Sequence, residues 1–158
     1  MLSTEKASRR SIFRTFLASV AAASAGLFGV AHAQTNEPVK KTSTDDQAPG
    51  AKPPLFSSWV TYGNLVFIAG QGEHGPGDIT VHTTSVLNQL EAQLKKAGSS
   101  MDKVLKVNVY LADLRDYDGM NDVFRGRFGP HPPVRTTVAT YGGVPGNSLV
   151  EIDCIATR

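Results

Sequence analysis

The chain has 158 residues, with 16 Lys and Arg against 14 Asp and Glu, a formal net charge of +2, and one cysteine. One cysteine excludes an intrachain disulfide framework. The positive balance comes from the front: Lys6, Arg9, Arg10 and Arg14 against Glu5 lie within the first 33 residues, leaving 12 basic and 13 acidic side chains beyond Ala33, and nothing there makes the clustered basic face that nucleic-acid phosphates require.

In chain order, Ser8-Arg9-Arg10-Ser11-Ile12-Phe13 is a twin-arginine pattern, followed by a mildly apolar run from Phe16 to Val30 and an A-x-A site at Ala31-His32-Ala33. This predicts an export signal over 1–33, cut after Ala33, and a periplasmic or secreted protein whose contact with a membrane is through that signal. The run is about 15 residues and includes Gly26 and Gly29, short against the roughly 20 residues of a span, the alternative being an uncleaved anchor. From 34 to 53 the composition is Lys, Thr, Asp, Gln, Pro and Gly with almost no large apolar side chain. Such a stretch buries too little to offset its ordering entropy, so a disordered linker is expected. Residues 54–158 are then one domain, small enough that oligomerisation would help it.

Within that domain, Ser57 to Tyr62 and Leu65 to Ala69 read as two strands around Gly63-Asn64, a pair suited to a two-residue hairpin turn. Thr84 to Ala97 reads as a helix with Val86, Leu87, Leu90, Leu94 and Ala97 on one stripe, ended by Gly98. Val104 to Leu111 alternates, with Leu105, Val107, Val109 and Leu111 facing one way and Lys106, Asn108 and Tyr110 the other. A second helix is predicted from about Tyr117 to Phe128, with Tyr117, Met120, Asn121, Phe124 and Phe128 on one face.

Pro132-Pro133 marks where the next strand begins, and Val134 to Tyr141 is rich in Thr and Val. Arg135 and Thr137 point to one face, Val134, Thr136 and Val138 to the other. The last run alternates too: Val150, Ile152, Cys154 and Ala156 on one side, Leu149, Glu151, Asp153 and Ile155 on the other. Between these runs Gly142-Gly143-Val144-Pro145-Gly146-Asn147 is turn chemistry, which predicts a hairpin or a wide connection and puts Arg135 and Glu151 on strands that could be neighbours. The order ββαβαββ predicts an α+β fold, a mixed sheet with two helices on one face.

The segment Pro133-Val134-Arg135-Thr136-Thr137-Val138, with Leu149-Val150-Glu151-Ile152-Asp153-Cys154-Ile155-Ala156, resembles the RidA/YjgF family of small imine deaminases. Gly63-Asn64-Leu65-Val66-Phe67-Ile68-Ala69-Gly70-Gln71 and Val104 to Leu114 agree with it in order. The resemblance implies a homotrimer with a pocket at each subunit interface, and a reaction needing no metal and no organic cofactor. It implies that Arg135 binds a substrate carboxylate, that Glu151 is associated with water activation, and that the backbone at Gly70 lines the pocket. Asn121 matches a family asparagine near the pocket. Phe56 stands where the family commonly has a tyrosine, and Thr137 where many members have a cysteine, differences that bear on substrate range.

The residue types suit that chemistry. A guanidinium grips a carboxylate with two parallel hydrogen bonds, and lysine cannot. An acid on a partly buried strand face can orient or deprotonate a water. Other sites are poorly supported: His74, His82 and His131 have no ligand spacing, Cys154 lies on the apolar face of its strand, and Gly70-Gln71-Gly72 lacks the setting of a phosphate loop. Two functions follow. The chain hydrolyses small 2-imino acids to 2-oxo acids and ammonia, or it is a non-catalytic module of the cell envelope that holds a small carboxylate.

Overall fold

The computed structural model describes residues 37–45, 48 and 50–158, so the expected export signal lies outside the described residues. The unit from Pro38 to Arg158 contains strands β1 (Lys40–Thr42), β2 (Trp59–Tyr62) and β3 (Leu65–Gly72) and helix α1 (Ile79–Lys96). Strand β4 (Val104–Leu111), helix α2 (Tyr117–Phe124) and strands β5 (Val134–Ala139) and β6 (Val150–Thr157) complete it. The six strands make one sheet in the order β1-β2-β3-β6-β4-β5, and the fold is α+β with both helices against one face of the sheet. Among the described residues no helix is long and apolar enough to cross a membrane.

Alternation decides which face is covered. Val66 and Ile68 of β3, Val107, Val109 and Leu111 of β4, and Val150, Ile152, Cys154 and Ala156 of β6 are buried. They pack with Val86, Leu87, Leu90 and Leu94 of α1 and Met120 and Phe124 of α2. Those α1 residues recur every three or four positions, the stripe that a sheet-packed helix needs.

Several expectations change. The stretch read as a disordered linker contributes β1, whose Lys40, Lys41 and Thr42 pair with Tyr62, Thr61 and Val60. A three-residue strand is tied down by backbone bonds, which composition does not foretell. Helix α1 begins at Ile79 rather than Thr84, because Asp78 caps it by accepting from the Val81 N–H at 2.9 Å. Helix α2 stops at Phe124, since Gly126 and Gly129 both take φ of 78° and turn the chain. Phe128 is nevertheless buried, its ring 4.8 Å from that of Phe124. Leu105 is exposed, because the register slips between Val104 and Lys106 and a bulge puts it out of phase with Val107 and Val109.

The largest correction concerns β5 and β6. They are not neighbours: β4 lies between them, parallel to β5 and antiparallel to β6. A parallel pair cannot be joined by a tight turn, and the segment containing α2 makes the crossover from β4 to β5.

Leu90 is fully buried between helix and sheet. Leu90→Ala should lower unfolding free energy by about 2–5 kcal/mol, read from denaturant titration. Cys154 is also buried, and burial, with the Asp153 charge second, pushes its thiol up to about 12. Since the thiolate is the reacting form, a disulfide reagent at neutral pH should leave the native protein almost unlabelled and titrate one thiol after denaturation.

Candidate functional site

Arg135 lies on the helix-covered face of edge strand β5, in register with core residue Val107. Its guanidinium carbon sits 4.6 Å from the centre of the Phe124 ring and 5.9 Å from that of Tyr117, with Nη1 3.9 Å from Met120 Sδ. Both rings belong to α2, seven residues apart and therefore on one face of the helix. The negative ring faces attract the cation, and they orient it without neutralising it. Among the described residues no carboxylate forms an ion pair with Arg135. It opens on a cavity of about 400 Å³ that Asn121, Phe124, Arg125, Gly126, Phe128, Gly129 and Pro132 also line. Thr137, two residues on and on the same face, keeps a buried hydroxyl without a hydrogen-bond partner.

Glu151 lies on the other face. In β6 it pairs with Tyr110 on one side and Gly72 on the other. Between Ile68 and Gln71 the β3–β6 register shifts, and this bulge brings Gly70 against the Glu151 side chain. A Cβ on Gly70 would lie 2.0 Å from Glu151 Oε1, so the absent side chain is what leaves the carboxylate its place. The Gln71 amide donates to the Ala69 and Gly70 carbonyls at 2.8 and 3.1 Å and holds the bulge. A second cavity of about 230 Å³ is lined there by Tyr110, Thr140, Gly143, Val144, Pro145, Glu151 and Asp153. Asp153 is already engaged, accepting from Asn108 Nδ2 at 2.9 Å and from the Tyr110 hydroxyl at 3.1 Å. Burial, then that bond, then the charges of Asp153 and Glu151 raise the Tyr110 pKa, so the phenol keeps the proton it donates.

The structure therefore brings Arg135, Asn121 and Thr137 to one side of the sheet, and Glu151 and Gly70 to the other. It does not bring the two groups together in one chain. Phe56 joins neither: it is 69% exposed and lies in a separate groove with Ser43, Thr44, Trp59 and Lys96. Among the described residues no group of three or more His, Cys, Asp or Glu is placed to hold a metal ion.

Sequence reasoning missed His82. It is buried, its Nδ1 accepts from the Leu149 N–H at 3.2 Å, and its Nε2 faces the Gly75 carbonyl at 3.1 Å. Because a backbone N–H can only donate, the ring proton is on Nε2. His82 thus ties the loop after β3 to the start of β6, two residues before Glu151. Its place beside Val86 on the buried stripe of α1 is the signal that could have found it.

A six-stranded mixed sheet with both helices on one face makes this a small α+β protein, and solved structures of the YjgF type share that fold. A family model described as Endoribonuclease L-PSP matches residues 45–158, and the chain belongs to that family. A RutC family protein of Pyrococcus abyssi is 37% identical over 110 residues, covering 65% of this chain and 86% of the relative. The chloroplastic protein of Arabidopsis thaliana named Reactive Intermediate Deaminase A is 30% identical over 125 residues, 75% of this chain and 66% of that protein. Among solved structures, a YjgF family member from Neisseria meningitidis superposes with a TM-score of 0.66 at 26% identity, over 76% of this chain and 95% of that one. Yeast Mmf1 gives 0.67 at 27% identity, over 76% and 99%.

Gly70→Ala tests the packing around Glu151. The φ of Gly70 is not in the left-handed region, and the displaced atoms belong to a side chain. The variant should fold with a loss of about 1 kcal/mol, while its crystal structure shows the Glu151 carboxylate moved. An unmoved carboxylate would contradict the close approach described here.

Proposed function

We propose that the protein hydrolyses small 2-imino acids to 2-oxo acids and ammonia, in a pocket that two copies of the chain complete between them. The observation that carries this is the placement of Arg135 and Glu151 on opposite faces of one sheet, each beside a cavity, so that neither half is a site alone. The assembly is a homotrimer in which Arg135 of one copy meets Glu151 of the next. Its support is the uncovered sheet face, where Leu65, Phe67, Val134 and Val138 remain exposed.

The substrate carboxylate binds the Arg135 guanidinium, which has no competing carboxylate among the described residues and is held by Phe124 and Tyr117. That grip fixes the adjacent C=N carbon for attack. Water adds its oxygen to that carbon while Glu151 takes one of its protons, giving a tetrahedral carbinolamine. Glu151 passes that proton to the nitrogen; the carbinolamine hydroxyl then gives up its own proton through the same carboxylate to the departing nitrogen, so the C–N bond breaks, the hydroxyl becomes the carbonyl and ammonia leaves. One water is consumed and no electrons change hands. The Arabidopsis relative's name supports this reading over RNA cleavage, as does the near balance of 12 basic and 13 acidic side chains beyond Ala33.

The test is hydrolysis of imines generated in the cuvette by an amino-acid oxidase. Arg135→Ala and Glu151→Gln should each lower kcat/KM by about 100-fold or more, and Arg135→Lys should recover little. Mixing the two inactive variants under conditions that exchange subunits should restore part of the activity, because a heterotrimer can pair an intact arginine with an intact glutamate. Failure of the mixture to regain activity, with exchange verified, would refute the shared pocket. Absence of turnover by the parent chain would favour carboxylate binding alone.

A further inference from the structure

The cavity at Arg135 holds a second cation that the reaction above does not use. Arg125 follows the last residue of α2, its N–H bonded to the Asn121 carbonyl at 3.1 Å, and it lines the same 400 Å³ space as Arg135. Two other arginines have partners. Arg127 donates to Asn88 Oδ1 at 2.8 Å and lies 3.8 Å from Glu91, and Arg115 is forked onto Asp113 at 2.6 and 2.9 Å. The Arg125 guanidinium makes no hydrogen bond or ion pair among the described residues. No acid lines this cavity either, so two guanidinium-bearing residues face it without a compensating carboxylate, beside the rings of Phe124 and Phe128.

A pocket built for one carboxylate needs one such cation. Arg125 is solvent-exposed and Arg135 half-buried at the same cavity, so a ligand with two negative groups can meet one with each. A monoacid engages Arg135 and leaves Arg125 to solvent. The volume is within the range of small-ligand pockets and has room for a four- or five-carbon diacid.

We propose that Arg125 binds a second carboxylate, so that the preferred substrates are 2-imino diacids, the products of oxidising acidic amino acids. This rests on the imine-hydrolase reading for its reaction, but the second-carboxylate site stands or falls separately. The hydrolysis is that of the monoacids, with a 2-oxo diacid and ammonia as products. The class of enzyme that supplies such a substrate is an oxidase or dehydrogenase acting on the amino group of an acidic amino acid.

Two measurements on the full chain separate the claims. The first is the ratio of kcat/KM for imines generated from glutamate or aspartate to that for imines from alanine or leucine, in the parent and in Arg125→Gln. The expected result is a diacid preference that falls at least about tenfold in the variant, the size of a lost charge-assisted pair. Arg125→Glu should lower the ratio further by repulsion. The second is calorimetric binding of 2-oxoglutarate against 2-oxobutanoate. Tighter binding of the diacid, lost in Arg125→Gln, supports the site even if no imine is turned over, an outcome that would sink the hydrolase reading alone. Hydrolysis with equal ratios in parent and variant, or equal binding of the two oxo acids, would overturn the proposal and leave the hydrolase reading intact.

Discussion

The pleat of the sheet governs everything placed on it. Successive side chains leave a strand on opposite faces, and both helices cover the same face. Arg135 is in register with Val107, and Glu151 with Tyr110. Val107 and Tyr110 are three positions apart on β4, an odd number, so the arginine lies under the helices and the acid on the uncovered side. A slip of one residue in either pairing would put both groups on one face and move an apolar set out of the core. The core of Val107, Val109, Ile152 and Cys154 therefore keeps Arg135 and Glu151 on opposite faces as firmly as it holds the fold together.

Much of the element content was legible, because alternation in Val150 to Thr157 and the three-to-four spacing in α1 are local signals with one physical meaning. What was not legible depended on partners distant in sequence. The turn chemistry of Gly142 to Asn147 says that the chain reverses, and it is silent on which strand comes to lie beside β5. That strand is β4, and the bulge at Leu105 that sets its phase arises only in the pairing with β6. The same holds for the site. Arg135, Glu151, Asn121 and Gly70 each have a place beside a cavity or an acid, whereas their division between two faces follows from parity across three strands.

Small local devices then tune each half. At Arg135 two aromatic faces supply orientation without charge, which leaves the guanidinium available to an anion. At Glu151 the tuning is steric, through a bulge and a missing side chain at Gly70. His82 adds rigidity from a distance. With both ring nitrogens committed to backbone groups, it joins the loop after β3 to the residue just before the acid-bearing strand. Asp153 and Tyr110 satisfy one another, so Glu151 is the acid on that surface left without a hydrogen-bonded partner among the described residues.

The two borders of the sheet are unlike, and this limits how copies of the chain can meet. On one side the last strand is β1, three residues long, of which Lys40 and Lys41 are solvent-exposed. Any strand seeking to extend the sheet there would have to strip water from two ammonium groups in return for very few backbone bonds. Growth into edge-to-edge fibres is thereby discouraged from that border. The opposite border is β5, six residues long and without a lysine, so the two edges resist strand addition unequally.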